Sequence, residues 1–149
     1  MTTNWLTSRE MEAWRNYVET YGHLIAAIER DLDRQSLTLG DYQVFVYLSE
    51  ATDHSLRMCD LADRLHLSPS GVTRRLDGLV AAGFVTREAS ADDRRVMLAK
   101  LTDSGFAALE NAAPEHVMSV RRHIFDRLDD DQVDAMASIF RTIHEGLTQ

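Results

Sequence analysis

The stretch Leu61–Thr102, LADRLHLSPSGVTRRLDGLVAAGFVTREASADDRRVMLAKLT, decides how this chain is read. A short helix is expected over about Asp60 to Leu65, with Leu61, Ala62 and Leu65 inward, and His66 and Leu67 make a tight turn. Ser68 then caps a second helix, and Pro69 at its first position costs no hydrogen bond. Val72, Leu76, Leu79 and Val80 fall on one face of that helix, while Ser70, Thr73, Arg74 and Asp77 project from the other. Gly83 stops it. Phe84 to Thr86 and Val96 to Leu101 alternate as two strands, joined by a polar turn from Glu88 to Arg94.

Helix, turn, helix and basic hairpin make a winged helix-turn-helix, and each part suits duplex DNA. A helix in the major groove needs a slim N-terminus, which Ser70 and Gly71 provide, and long donors beyond it. Arg74 is placed for a base edge, ideally with two hydrogen bonds to a guanine. Ser68, Ser70 and Thr73 suit phosphates or a thymine methyl, and Arg75, one residue round the helix, is assigned to phosphate. Arg94 and Arg95 at the hairpin tip suit the narrow minor groove, with Asp93 holding one of them in pose.

Outward from this segment the chain reads as helices. One is expected from about Ser8 to Leu32, with Trp14, Val18, Tyr21, Ile25 and Ile28 in a stripe. A second runs over roughly Gly40 to Glu50, with Val44, Phe45 and Leu48 buried, and a polar loop follows from Ala51 to Ser55. Thr102 or Asp103 caps a fifth helix reaching about Arg127, which Pro114 is expected to kink or split. A sixth starts at Asp129 with Gln132 as a capping box, and carries Val133, Met136, Ile139, Phe140, Ile143 and Leu147 in a stripe. The terminal stripes exceed what one small domain covers, so a partner is expected. The organisation is mainly α with a small β-wing: a single domain over 1–149, with a DNA-binding lobe at 37–102 and a helical dimerisation region at 1–36 and 103–149.

The 149 residues carry a net charge of −8, unevenly spread. Arg57 to Lys100 holds eight Lys/Arg against six Asp/Glu, a balance of +2, and the remainder stands at −10. A basic segment in an acidic frame fits one face turned to phosphates. MTTNWLTSREMEAW has no basic or apolar run of the signal-peptide kind, and Gly78–Val85 is far too short to span a membrane. With one cysteine, these features place the chain in the cytoplasm. No glycine-rich phosphate loop, Gly-x-Ser-x-Gly or cysteine–base pair occurs, so an enzyme is not expected, and neither is a cofactor or a metal. Cys59, near a helix start, leaves a redox-responsive regulator as an alternative. A winged helix used for protein contacts is another, although three arginines on its face speak against that.

LADRL, SPSGVTRRLDGL, AAGFVTR, the Asp-x-Arg of Asp93 and Arg95, Leu101–Thr102 and Gly105 together resemble the MarR (multiple antibiotic resistance regulator) family. The resemblance implies a homodimer joined by its first and last helices, reading palindromic double-stranded DNA with half-sites roughly 10 bp apart. It implies base contact at Arg74 and minor-groove entry at Arg95. It also implies a repressor released by a small phenolic or anionic aromatic ligand, bound between the dimer helices and the DNA-binding lobe. Trp14, Tyr17, Tyr21, Tyr42 and His116 are the candidates to line that site.

Overall fold

The computed structural model describes residues 3–148, which divide into two compact units. Unit 2, Asp31–Glu115, holds the whole of the Leu61–Thr102 segment. Its elements are α2 (Leu39–Glu50), a 3-10 turn (Thr52–His54), β1 (Ser55–Arg57), α3 (Met58–Leu65), α4 (Pro69–Ala81), β2 (Val85–Ala89), β3 (Met97–Leu101) and the first part of α5 (Asp103–His123). The three strands form an antiparallel sheet in the order β1-β3-β2. Its register runs from Val85 opposite Leu101 to Ala89 opposite Met97, and Leu56 lies opposite Ala99. The described residues are mainly helical with this one small sheet, as the sequence predicts.

The core of unit 2 follows from helical and strand periodicity. Val44, Phe45 and Leu48 of α2, Leu61 of α3, Val72 and Leu76 of α4 and Val85 of β2 are all buried. Phe45 meets Phe84 edge-on, with ring centroids 5.6 Å apart, the favoured aromatic geometry. Thr102 ties the turn after α4 to the start of α5: its Oγ1 donates to the Gly83 carbonyl at 2.7 Å and accepts from Gly105 N–H at 3.0 Å. Gly105 is obligatory there, because a Cβ would press into the Phe84 carbonyl oxygen.

Unit 1 comprises residues 1–30 and 116–149. It contains most of α1 (Ser8–Asp33), the end of α5, a 3-10 turn (Phe125–Arg127) and α6 (Asp130–Leu147). Asp129 and Gln132 form the expected capping box at the start of α6. In this unit Trp14, Tyr17 and Tyr21 of α1, and Ile139, Phe140 and Ile143 of α6, stay exposed.

Three expectations need correction. Ala51–Ser55 is not simply a loop: it forms a 3-10 turn and leads into β1, whose three residues are too few to show a period. Pro114 does not split α5, which continues to His123 before giving way to the 3-10 turn. Proline removes one helical bond and crowds the carbonyl four residues back, and the alanines at 107, 108, 112 and 113 are strong helix formers that carry the helix past it. The strands reach further than Thr86, so the wing loop spans 90–96.

Replacing Gly105 with alanine should cost about 2 kcal/mol of stability, because the new methyl meets backbone that cannot move aside. A thermal melt reads this as a lowered midpoint, and an unchanged midpoint would refute the contact.

Candidate nucleic-acid interface

The interface is built around α4. His66 closes α3 in the left-handed region with φ 53°, and the Leu67 N–H donates to the Ala62 carbonyl at 3.0 Å. This turn sets the angle between the two helices. Ser68 Oγ accepts from Gly71 N–H at 3.1 Å and lies 3.2 Å from Ser70 Oγ, so its oxygen is committed to the cap of α4. With Val72, Leu76 and Leu79 buried, Ser70, Thr73 and Arg74 are forced outward and are exposed. Arg74 makes no hydrogen bond or ion pair with any described residue, so its guanidinium is free for a base edge or phosphate.

The wing loop is held by its own polar groups. Val96 N–H donates to the Asp93 carbonyl at 2.9 Å, and Ser90 N–H to the Val96 carbonyl at 2.8 Å. Arg95 donates twice to the Asp93 carboxylate, Nε at 3.1 Å and Nη2 at 3.2 Å, and its backbone N–H adds a third bond at 3.0 Å. The Arg95 guanidinium holds the Asp93 carboxyl below the usual carboxylate range. The arginine nevertheless stays 91% exposed, presented rather than consumed. Arg94 is also exposed.

Arg75 departs from its phosphate assignment. Its Nη1 donates to Thr38 Oγ1 at 2.9 Å and reaches Asp41 Oδ1 at 3.5 Å. Thr38 and Asp41 form the capping box of α2, so Arg75 joins α4 to the start of α2. Gly40 makes room for it: a Cβ there would lie 2.5 Å from Arg75 Cζ. Periodicity put Arg75 beside Arg74, and only the tertiary fold supplies its partners.

Sequence reasoning also missed Arg87 on β2, whose Nη2 donates to the Thr73 carbonyl at 2.8 Å and to Asp77 Oδ1 at 2.6 Å. A signal existed: Arg87 is two residues beyond buried Val85, so it shares that inward face of the strand. A cleft of about 520 Å³ opens between α3, the start of α4 and the wing. Met58, Val72 and Met97 contribute its apolar lining, and Arg57, Arg87 and Arg95 its charge. Cys59 lines it too, exposed, with Sγ 3.7 Å from Asp60 Oδ1. Arg57 takes the cap position of α3, so Cys59 is neither a cap nor a core residue.

The five residues assigned to a ligand are distributed over both units. Trp14 and Tyr17 have ring centroids 5.9 Å apart, Tyr17 and Tyr21 6.1 Å, and Tyr17 and Phe140 6.4 Å, giving an exposed aromatic ladder in unit 1. His116 is also in unit 1, and burial holds its imidazole below the usual histidine range. Tyr42 belongs to unit 2, on the buried face of α2, and burial pushes its phenol up. Its side chain is buried, at 8% exposure.

A buried-face helix with a free arginine, followed by a wing with a braced arginine, defines a winged helix-turn-helix DNA-binding protein. The MarR family model matches residues 35–96. The crystal structure of AbsC, a MarR family transcriptional regulator from Streptomyces coelicolor, is 36% identical, with a TM-score of 0.92 over 98% of this chain and 99% of that one. Sco3205, a MarR family regulator from the same organism solved in complex with DNA, is 34% identical, with a TM-score of 0.93 over 99% of this chain and 93% of that one. The HTH-type transcriptional repressor YetL of Bacillus subtilis (strain 168) is 29% identical over 114 residues, 76% of this chain and 68% of YetL. The chain belongs to the MarR family of transcriptional regulators. No helix among the described residues is long and apolar enough to cross a membrane.

Arg75→Ala should lower stability by about 1 kcal/mol, because it removes a charge-assisted bond to a half-buried cap. Chemical denaturation checks this, and a variant as stable as the parent would return Arg75 to the phosphate role.

Proposed function

We propose that this regulator binds a palindromic operator as a homodimer and represses transcription until a small ligand releases it. One observation carries the DNA-reading part: the outward face of α4 presents Ser70, Thr73 and unpartnered Arg74, beside a wing whose Arg95 is braced by Asp93. Arg74 reads a base edge in the major groove, Arg95 enters the minor groove, and Arg94, Ser70 and Thr73 meet backbone. Arg75 supports α4 instead of touching phosphate, and Ser68 acts mainly as the cap. The complex of Sco3205 with DNA and the repressor name of YetL favour the reading.

The homodimer rests on unit 1. Trp14, Tyr17 and Tyr21 on α1, and Ile139, Phe140 and Ile143 on α6, form apolar surface that water does not favour. A second copy would cover it, and two-fold symmetry would pair two recognition helices with a palindrome. The aromatic ladder also supports a small aromatic ligand at Trp14, Tyr17 and Tyr21, of phenolic or anionic character.

Fluorescence anisotropy on duplex from upstream of the protein's own gene, against random duplex at two salt concentrations, tests the DNA reading. Arg74→Ala should cost about 1–3 kcal/mol on the preferred duplex and little on random DNA. Arg95→Ala should weaken binding and reduce its salt dependence. Equal losses on both duplexes for Arg74→Ala would overturn the base-reading role. Ile139→Asp combined with Ile143→Asp should yield a monomer in sedimentation and abolish tight binding, and a persistent dimer would contradict the assignment of that face. Added 4-hydroxybenzoate should lower DNA affinity, while indifference at millimolar concentration would exclude this compound as the ligand.

A further inference from the structure

We propose that Arg87 is a positioning residue that clamps the wing to the recognition helix and thereby fixes the spacing between its two DNA-reading arginines. The inference rests on the DNA-reading role given to α4 and the wing.

Asp77 is the starting point. It is the one acidic residue in α4, and it lies on the exposed face. A carboxylate there opposes phosphate and needs a reason. Arg87 supplies it: Nη2 donates to Asp77 Oδ1 at 2.6 Å and to the Thr73 carbonyl at 2.8 Å. Thr73 and Asp77 are one helical turn apart, so a single guanidinium spans both. The Thr73 carbonyl already accepts a helical bond and offers its second lone pair to Arg87. That carbonyl belongs to the peptide unit joining Thr73 to Arg74. The grip therefore falls on the backbone that carries the base-reading side chain.

On the other side, Arg87 lies in β2, paired with Ala99 of β3. Two residues further on, Ala89 pairs with Met97, the last rung before the loop that bears Arg94 and Arg95. A short path of hydrogen-bonded backbone thus runs from Arg74 through Arg87 to Arg95. The Arg87 side chain is only 27% exposed, against 91% for Arg95. Its Nε is buried without a partner among the described residues, a cost accepted where the side chain serves geometry. Both bonds leave from the terminal Nη2, which lies one atom further along its side chain than a lysine Nζ does, so a lysine at this position falls short of the pair. Major- and minor-groove contacts made from a fixed frame avoid the ordering cost of assembling them on DNA.

Charge effects and positioning give opposite expectations for Asp77→Asn. That change removes negative charge from the DNA face, so electrostatics alone tightens binding to any duplex. A lost clamp instead lowers preference. The experiment compares wild type, Asp77→Asn and Arg87→Lys on a duplex selected from random DNA by the wild-type protein, against unselected duplex. Amide hydrogen exchange is measured on the same proteins without DNA, with α6 as the internal control for folding. The expected result is that selected-over-random preference falls about tenfold in both variants. Random-duplex affinity of Asp77→Asn is not reduced, and exchange rises in α4 and in β2–β3 alone. Preference within twofold of wild type, or Asp77→Asn tightening both duplexes equally, overturns the clamp. Wild type selecting no sequence at all speaks against the DNA reading itself; exchange unchanged in both variants then disposes of the clamp, and exchange raised in α4 and β2–β3 upholds it.

Discussion

The fixed attitude of α4 is the constraint on which the rest of the structure depends. Val72, Leu76 and Leu79 set its rotation by burying one face. Ser68 fixes where it starts, and His66, in the left-handed region, fixes the angle at which it leaves α3. Two guanidinium groups then hold its flanks, Arg75 to the start of α2 and Arg87 to the wing. Burial fixes the rotation, and the polar ties settle the remaining tilt. Each tie is worth on the order of 1 kcal/mol and is directional, which apolar packing is not.

The charges follow the same logic. Of the six acids between Arg57 and Lys100, three are held in ion pairs within the segment, which leaves its balance at +2 but fixes where the unpaired bases stand. Asp77 is taken by Arg87 and Asp93 by Arg95. Asp41, from outside the segment, is taken by Arg75. Pairing costs Arg95 little reach, since its partner is its own hairpin neighbour. Arg74 is left unpaired and exposed on the outward face of α4. The acidic remainder of the chain keeps nonspecific attraction to DNA low.

Much of this was legible in the sequence because it is local. Ser68–Pro69, the spacing of Val72, Leu76 and Leu79, the box of Asp129 and Gln132, and Asp93 two residues before Arg95 each declare themselves within a few positions. What stayed hidden joins distant positions. Arg75 finds Thr38 37 residues away, and Arg87 finds Asp77 10 residues away across a turn. Nothing in either neighbourhood names the partner. Tyr42 joins Val44, Phe45 and Leu48 among the buried residues of α2, a place that spacing alone did not give it. Pro114 shows the limit of a local rule: a proline destabilises a helix interior, yet α5 runs through it from Asp103 to His123. Strand β1 was invisible because it exists only through pairing with β3.

Interference footprinting with methylated guanine on a selected duplex is the most direct measurement. Methylation at N7 blocks the major-groove edge that Arg74 is assigned to read. The account predicts that N7 methylation abolishes wild-type binding at two guanine positions about one helical turn apart, and that Arg74→Ala is insensitive at those positions. Wild-type binding indifferent to N7 methylation everywhere, with interference confined to the minor groove, would contradict α4 as the reading element.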